Sequence, residues 1–409
     1  MTPTETIHHP PVNEAVPFQF EELFFSRTDE RGIILSGNTV FQHISQFDWD
    51  ELLHKPHNII RHPDMPKAVF YLLWDTIKKG NPIGAYVKNK AKDGRYYWVF
   101  AIVTPIEGGY LSVRLKPSSP FLGIVEQEYK SVLAKEKNGV RPAESAVMLL
   151  DRLKELGFND YGEFMATAIS KEMAARDTQL GKEQDKTIIC FDELMVEART
   201  LLQQASIIYA AYEKNEYVPL NLRVQSAQLG DSGATISVIS SNYTMISTEI
   251  RQSMSKFIAS AQDVFKMIHI GLFLLCTTKI QHEVVSLFQE EEASEHFSQE
   301  QEMSYLESQQ KIYRKKAIDG LQAIIRQANS FRQSSNDMKM LALGLGVTRL
   351  MGKVESSRLT VIKDSLNELI DDLEGFQMSV LNGLKDIDQR NREIQITTQS
   401  LLKEVERLG

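Results

Sequence analysis

Pro56-His57-Asn58-Ile59-Ile60-Arg61-His62-Pro63-Asp64-Met65-Pro66 is the stretch on which the reading of the fold turns. Three prolines in these eleven residues stop a regular helix, because each removes a backbone donor and restricts the residue before it. The polar side chains of the block therefore sit on a constrained loop rather than on one smooth face.

On the amino-terminal side, Leu23-Phe24-Phe25-Ser26-Arg27-Thr28, the turn Asp29-Glu30-Arg31-Gly32 and Ile33-Ile34-Leu35-Ser36 read as a β-hairpin. Helical spacing follows over Asn38 to Phe47. On the other side, Pro66 to Lys79 carries Val69, Leu72, Leu73, Thr76 and Ile77 at helical spacing and ends at Gly80. Pro82 to Asn89 reads as a strand, Asp93-Gly94 as a turn, and Arg95 to Pro105 and Gly109 to Leu115 as two further strands rich in β-branched and aromatic residues. Two strands, short helices and three strands make an α+β order, expected to fold as one antiparallel five-stranded sheet with the short helices on a face.

Several kinds of chemistry are open to the proline-bounded block. His57, Arg61, His62 and Asp64 are metal-ligating types or their neighbours, but His-x-x-x-x-His with an Arg between is poor ligand spacing. His62 oriented by Asp64 would make a dyad, yet no Ser or Cys nucleophile lies in a supporting elbow. An ion pair of Arg61 with Asp64 would simply pin the loop. Trp74, at helical spacing with Phe70 and Ile77, fits a plain core as well as a pocket wall.

Taken with Asn38, Trp74-Asp75-Thr76-Ile77-Lys78-Lys79-Gly80, Val87-Lys88-Asn89 and Asp93-Gly94-Arg95-Tyr96-Tyr97-Trp98-Val99, the block resembles, from about Phe24 to Lys116 and in colinear order, the PAS sensor domain of the bacterial aerotaxis receptor family. The resemblance implies a PAS fold that holds FAD non-covalently and reports redox or oxygen status to a chemotaxis-type signalling module. Carried over residue by residue, it makes Asn38, Arg61, His62, Asp64, Trp74 and Asn89 contacts or supports of the flavin, with Phe70 a further wall. These residue types suit a flavin, since aromatic rings give flat apolar walls, amides bond directionally to a ring's polar edge, and arginine offers a fixed donor fork. Replacing Arg61 or Asp64 is then expected to lower flavin content. The alternatives are haem, for which His54 or His57 would have to serve as axial ligand, and a cofactor-free scaffold.

Beyond Pro117 to Pro120 the composition shifts to Glu, Lys, Leu, Gln and Ser at helical spacing. The expected domains are a lead at 1–20, the PAS sensor at 21–120, a helical connector at 121–190, and a mostly α, coiled-coil or helical-hairpin region at 191–409. The last segment carries Leu359, Ile362, Leu366, Leu369, Leu373, Phe376, Val380, Leu384, Ile387, Asn391, Ile394, Thr398, Leu401, Val405 and Leu408, nearly a heptad seam with a stutter at Val380 to Leu384. Such a helix needs a partner, from its own chain or from a second copy; a homodimer is expected. Asn391 on the seam costs stability but can fix register.

Asn221-Leu222-Arg223-Val224-Gln225-Ser226-Ala227-Gln228-Leu229-Gly230-Asp231-Ser232-Gly233 resembles the kinase-recruiting tip of chemotaxis receptors. That resemblance implies a chemotaxis kinase or adaptor as partner. Gln225, Gln228 and Ala234-Thr235-Ile236 replace charged and aromatic residues of the family pattern on which partner contacts depend. A second echo runs from Leu341 to Gly352.

With 54 acidic against 46 basic residues over 409 positions, the net charge of −8 repels phosphate backbones and excludes a nucleic-acid role. Cys190 and Cys276 are far apart, so neither a disulfide framework nor a zinc knuckle is expected. The start of the chain lacks the basic and apolar regions of a secretory signal. The most apolar run, Met267 to Cys276, contains His269 and falls short of the roughly 20 residues of a spanning helix; it is expected as a buried helix of a cytoplasmic protein. No Gly-x-Gly-x-x-Gly fingerprint follows a strand, so the expectation is a signal transducer rather than an enzyme.

Overall fold

A computed structural model describes residues 9–215, 217–228, 234–358 and 363–407, without the side chains of 219, 226 and 363–366. The chain begins with β1 (Phe24–Asp29) and β2 (Ile34–Gly37), continues through the short helices α1 (Thr39–Ser45) and α2 (Trp49–Leu52), a 3-10 turn (His57–Ile60) and α3 (Lys67–Lys78), and returns through β3 (Ile83–Lys90), β4 (Tyr96–Ile106) and β5 (Gly109–Leu115). The five strands form one antiparallel sheet in the order β2-β1-β5-β4-β3. This is the α+β architecture expected from the turn and strand signals.

Local chemistry explains the joints. The Asp29 carboxylate accepts from the Arg31 and Ile33 amides at 2.8 and 2.9 Å and closes the first turn, where Gly32 takes φ +80°, a conformation costly for any residue with a Cβ. Asn38 caps α1: its Oδ1 accepts from Phe41 N, and also from Phe25 N at 2.9 Å, while its Nδ2 donates to Leu23 O at 2.8 Å. The Pro56 to Pro66 block is strapped to β3 by the amide of His62 donating to Lys88 O at 3.3 Å and by an antiparallel bridge between Arg61 and Asn89.

Because side chains alternate along a strand, Val87 and Asn89, Ala101 and Val103, and Tyr110, Ser112 and Arg114 share the sheet face toward the short helices. The opposite face carries Phe25, Tyr86, Phe100, Ile102, Leu111 and Val113, all buried. Helices α4 (Phe121–Lys137) and α6 (Tyr161–Gln179) and parts of the long helices α9 (Ala234–Gln289) and α10 (Gln299–Ser356) cover it, while α5 (Pro142–Glu155) packs against α3 and α4. Tyr86 packs edge-on to Phe100 with centroids 5.0 Å apart, and Phe25 meets Phe288 of α9 at 5.3 Å. Burial on both faces explains why β4 reads as an apolar run rather than clean alternation.

Buried charge on this outer face is fully matched. Glu172 of α6, 0% exposed, accepts from Tyr86 Oη at 2.7 Å, from the amides of Ser118 and Ser119 at 2.6 and 2.9 Å, and from Ser119 Oγ at 2.6 Å. Arg27 of β1 makes a two-pronged bond to Glu302 of α10 at 2.6 and 2.7 Å, and Arg176 of α6 pairs with Glu283 of α9 at 2.8 Å. The connector expected between two domains is thus part of the wall of the first.

The chain divides into two compact units: one runs to Ile189 and takes in His269–Ala317, the other is Cys190–Ile268 together with the residues from Ile318 onward. In the second, α7 (Lys186–Asn215), α8 (Val218–Gln228), α9, α10 and α11 (Lys363–Arg407) pack as a helical bundle. Phe257 of α9 stacks on Phe331 of α10 at 5.0 Å, Tyr212 of α7 donates to Ser247 O of α9 at 3.2 Å, and Arg390 of α11 pairs with Glu197 of α7 at 2.7 Å. The seam of α11 is buried by its own chain: Leu373, Phe376, Val380, Leu384, Ile387, Asn391, Ile394, Thr398, Leu401 and Val405 all lie inside. Ile370 rather than Leu369 continues it; Leu359, Ile362, Leu408 and the side chain of Leu366 are outside the described residues. Asn391 Nδ2 donates to Ala328 O of α10 at 2.8 Å, a bond that ties the register of α11 to its neighbour.

Leu222 of the first tip-like stretch and Thr348, Arg349 and Gly352 of the second line one small pocket of this bundle. A Cβ on Gly352, in the Leu341 to Gly352 echo, would touch Ile370 of α11 and Ile239 of α9. Leu229 to Gly233 of the first stretch lie outside the described residues. Among the described residues one helix, α9, is long and apolar enough to cross a membrane by length and composition; Ile268, His269, Leu272, Phe273 and Cys276 within it are buried in protein.

Candidate functional site

The inner face of the sheet, α3, the 3-10 turn and the β1–β2 turn enclose a cavity of about 550 Å³, within the span of roughly 300–1,000 Å³ usual for small-molecule sites. Leu73, Trp74 and Ile77 of α3 face Val87, Ala101 and Val103 of the sheet across it. Trp74 and Tyr110 meet edge to face at 5.5 Å. Gly32 lets the first turn close against this wall: a Cβ there would lie 3.1 Å from the Trp74 ring. At the rim stand the exposed Glu30, Arg31, Asn58 and Lys78.

The polar groups that face this space are mostly donors. Arg61 lays its guanidinium over the Phe70 ring, 3.5 Å from the centroid, and its buried Nε has no protein acceptor. Burial lowers the Arg61 pKa from its usual value. Arg114 of β5, 3% exposed, donates from Nη2 to Ser26 Oγ and to His57 Nε2, each at 2.7 Å, while its buried Nη1 has no acceptor. Burial brings Arg114 down to about 10, so it stays charged near neutral pH. Ser112 Oγ is likewise buried without a partner. Among the described residues, no carboxylate forms an ion pair with Arg61 or Arg114. Buried donors without acceptors are rare and costly, so this arrangement suits a planar ligand with an electron-rich polar edge.

Of the residues singled out from sequence, Arg61, Phe70, Trp74 and Asn89 line the cavity together. Asn38, His62 and Asp64 do not. Asn38 spends its amide on the α1 cap and β1. His62, buried beside Tyr96 at 6.3 Å, accepts from Asp64 N at 3.1 Å through Nδ1. That bond requires the neutral ring, and burial, aided by Lys88, lowers His62 to about 4. Asp64 turns outward to Lys88 at 2.8 Å, which holds its carboxyl below the usual range; the pairing of Arg61 with Asp64 does not form. Among the described residues no cluster of His, Cys, Asp or Glu is arranged to hold a metal.

Sequence reasoning missed Arg114, Ser112 and Tyr110 as site residues. Their signal was present as a polar phase, Tyr110-x-Ser112-x-Arg114, but such alternation on a strand ordinarily marks a solvent-facing side rather than a cavity.

A sheet in this order, closed over a cavity by short helices, defines a PAS domain, and the family described as PAS fold matches residues 34–112. Within that class the chain is similar to the aerotaxis receptor of Escherichia coli (strain K12), with 39% identity over 132 residues, 31% of this chain and 26% of the receptor. The match thus spans about a quarter of that relative's length. Among solved structures, the PAS domain of a protein from Colwellia psychrerythraea is 18% identical, covers 23% of this chain and 85% of its own, and has a TM-score of 0.20. The light-state structure of the blue-light photoreceptor Aureochrome1 LOV is 22% identical, with coverage of 28% and 90% and a TM-score of 0.22.

Proposed function

We propose that this chain is a cytoplasmic signal transducer whose PAS domain holds FAD and passes the redox state of that cofactor to its helical region, in a chemotaxis-type pathway. The observation that carries the reading is the set of buried donors without acceptors, Arg61 Nε, Ser112 Oγ and Arg114 Nη1, beside the aromatic walls of one cavity. Carbonyl and ring-nitrogen acceptors along the polar edge of a flavin fit such donors. A bound flavin supplies reversible electron chemistry that side chains cannot. Phe70, Trp74 and Tyr110 would flank it, and Leu73, Ile77, Val87, Ala101 and Val103 would keep water from it. The haem alternative needs a histidine nitrogen free toward the cavity, whereas His57 Nε2 is engaged by Arg114.

A route outward is built into β1. Ser26 on the cavity face holds Arg114, and the next residue, Arg27, on the opposite face, is clamped to Glu302 at the start of α10. Any rearrangement of Arg114 that favours one of two sheet conformations would bias α10 through a single strand residue. The reading requires no turnover of a substrate.

The deciding measurement is the absorption spectrum of the purified full chain, oxidised and reduced, before and after incubation with FAD. Flavin bands at stoichiometric content are expected. Arg61→Ala lowers that content, whereas Asp64→Ala, at an exposed position off the cavity, leaves it intact. A colourless protein that takes up no FAD would overturn the reading.

A further inference from the structure

We propose that Arg114 is the charge-recognising group of this cavity, placed to bind a negatively charged edge of a planar heteroaromatic ligand, and that neutral His57, with Ser26, holds it in position. The proposal rests on the flavin reading for its ligand and on the geometry around Arg114 for everything else.

Arg114 lies at the inward phase of β5 and is 3% exposed. A buried cation is normally matched by a carboxylate, because removing a charge from water is otherwise uncompensated. The same domain follows that rule at Arg27, whose guanidinium is bonded to Glu302. At Arg114 it does not. Both hydrogens of Nη2 are used by neutral acceptors, Ser26 Oγ and His57 Nε2; the residue lines the cavity, and its buried Nη1 has no acceptor in the protein.

The partner on the protein side is itself informative. An arginine can only donate, so His57 Nε2 must present its lone pair and the ring carries its proton on Nδ1. A protonated His57 would set a second cation 2.7 Å from Arg114. Burial, then Arg114, then Arg61 push His57 well below its usual value, which agrees with the neutral ring. The ring lies parallel to Phe41 with centroids 6.0 Å apart, and the His57 amide donates to Gly32 O at 2.9 Å. His57 and Ser26 thus aim the guanidinium without neutralising it, and the charge remains available to a ligand. For a ring that accepts electrons, such a cation favours the reduced form, in which negative charge has accumulated.

The experiment uses the full chain with FAD as probe, in wild type, Arg114→Met, Arg114→Lys and Arg61→Ala. In the ligand-free state Arg114→Met is expected to melt at or above the wild-type temperature, since the uncompensated charge is gone. With FAD, Arg114→Met is expected to weaken binding by roughly tenfold to a hundredfold, the scale of one hydrogen bond to a charged group. Its midpoint potential moves negative, whereas Arg114→Lys, which keeps the charge, holds the potential near wild type. A ligand-free Arg114→Met that melts well below wild type or fails to fold would make Arg114 a structural residue and overturn the proposal. So would unchanged FAD affinity and potential in Arg114→Met while Arg61→Ala binds poorly. Failure of the wild type to take up FAD would instead remove the flavin reading, and the ligand-free melting comparison would still decide the role of Arg114.

Discussion

The two faces of the PAS sheet bury charge in opposite ways. On the outer face, Glu172 is surrounded by four donors from Tyr86, Ser118 and Ser119. On the inner face, Arg114 is equally buried, yet beside the Phe41 ring it bonds only a serine and a neutral histidine and leaves one nitrogen without an acceptor. The outer face is complete as protein: its charge is an internal fastening between the sheet and the helices that cover it. The inner face leaves bonding capacity open, which the proposed ligand would use. A buried group whose bonding capacity is exhausted by the chain reports on stability; one whose capacity is left over reports on binding.

The contrast is most strongly challenged at Glu172. Glu172→Ala strands a tyrosine hydroxyl, a serine hydroxyl and two amides, and leaving a buried neutral donor unsatisfied costs about 1–3 kcal/mol. Chemical denaturation should show that loss, with the ligand-free Arg114→Met protein staying close to wild type. A loss below about 1 kcal/mol for Glu172→Ala would mean that water replaces the carboxylate and that the two faces are not different in kind.

A smaller effect separates cavity shape from backbone strain. Gly32 and Gly108 both take positive φ, +80° and +75°, but a Cβ at Gly32 would meet Trp74 at 3.1 Å while one at Gly108 meets nothing within 4 Å. Each change to Ala carries about 1–2 kcal/mol of left-handed strain. Gly32→Ala should also displace Trp74 and lower FAD retention, whereas Gly108→Ala should lose stability alone. Equal FAD content in the two variants would remove Trp74 from the functional wall.

What was legible beforehand follows from what each signal encodes. Turn residues at Asp29 to Gly32 and Asp93-Gly94, with β-branched strands between them, were enough for the sheet. The proline-bounded block marked the loop that reaches the cavity, and Arg61 and Asn89 do face it. Spacing on an irregular loop does not say where a side chain points, which is why His62 and Asp64, one and three residues further on, turn elsewhere. Arg114 escaped for a different reason: the polar phase Tyr110-x-Ser112-x-Arg114 of β5 reads as an ordinary solvent-facing side, and alternation alone does not tell solvent from a cavity. The heptad seam of α11 showed that a partner was needed but not whose; the bundle supplies it from the same chain, with Asn391 bonded to Ala328.

The smallest effect concerns His62, a neutral buried histidine off the cavity. Its folded-state pKa of about 4 lies below the ordinary 6.5, so between those values the unfolded chain binds a proton that the folded chain refuses. Stability therefore falls as pH drops through 6.5 and the loss levels off below about 4. By pH 6 the loss is on the order of 1 kcal/mol. His57 shifts in the same direction, so the two must be separated. His62→Asn keeps an acceptor for the Asp64 amide and removes the titration. The measurement is urea unfolding of both proteins at pH 7.5 and pH 6, and a shallower loss is expected in the variant. If the losses are equal, the acid sensitivity of this domain belongs to His57 and hence to the cavity. In that case, protonation there would be expected to release FAD along with stability, which links the inner face to pH in a way the outer face cannot share.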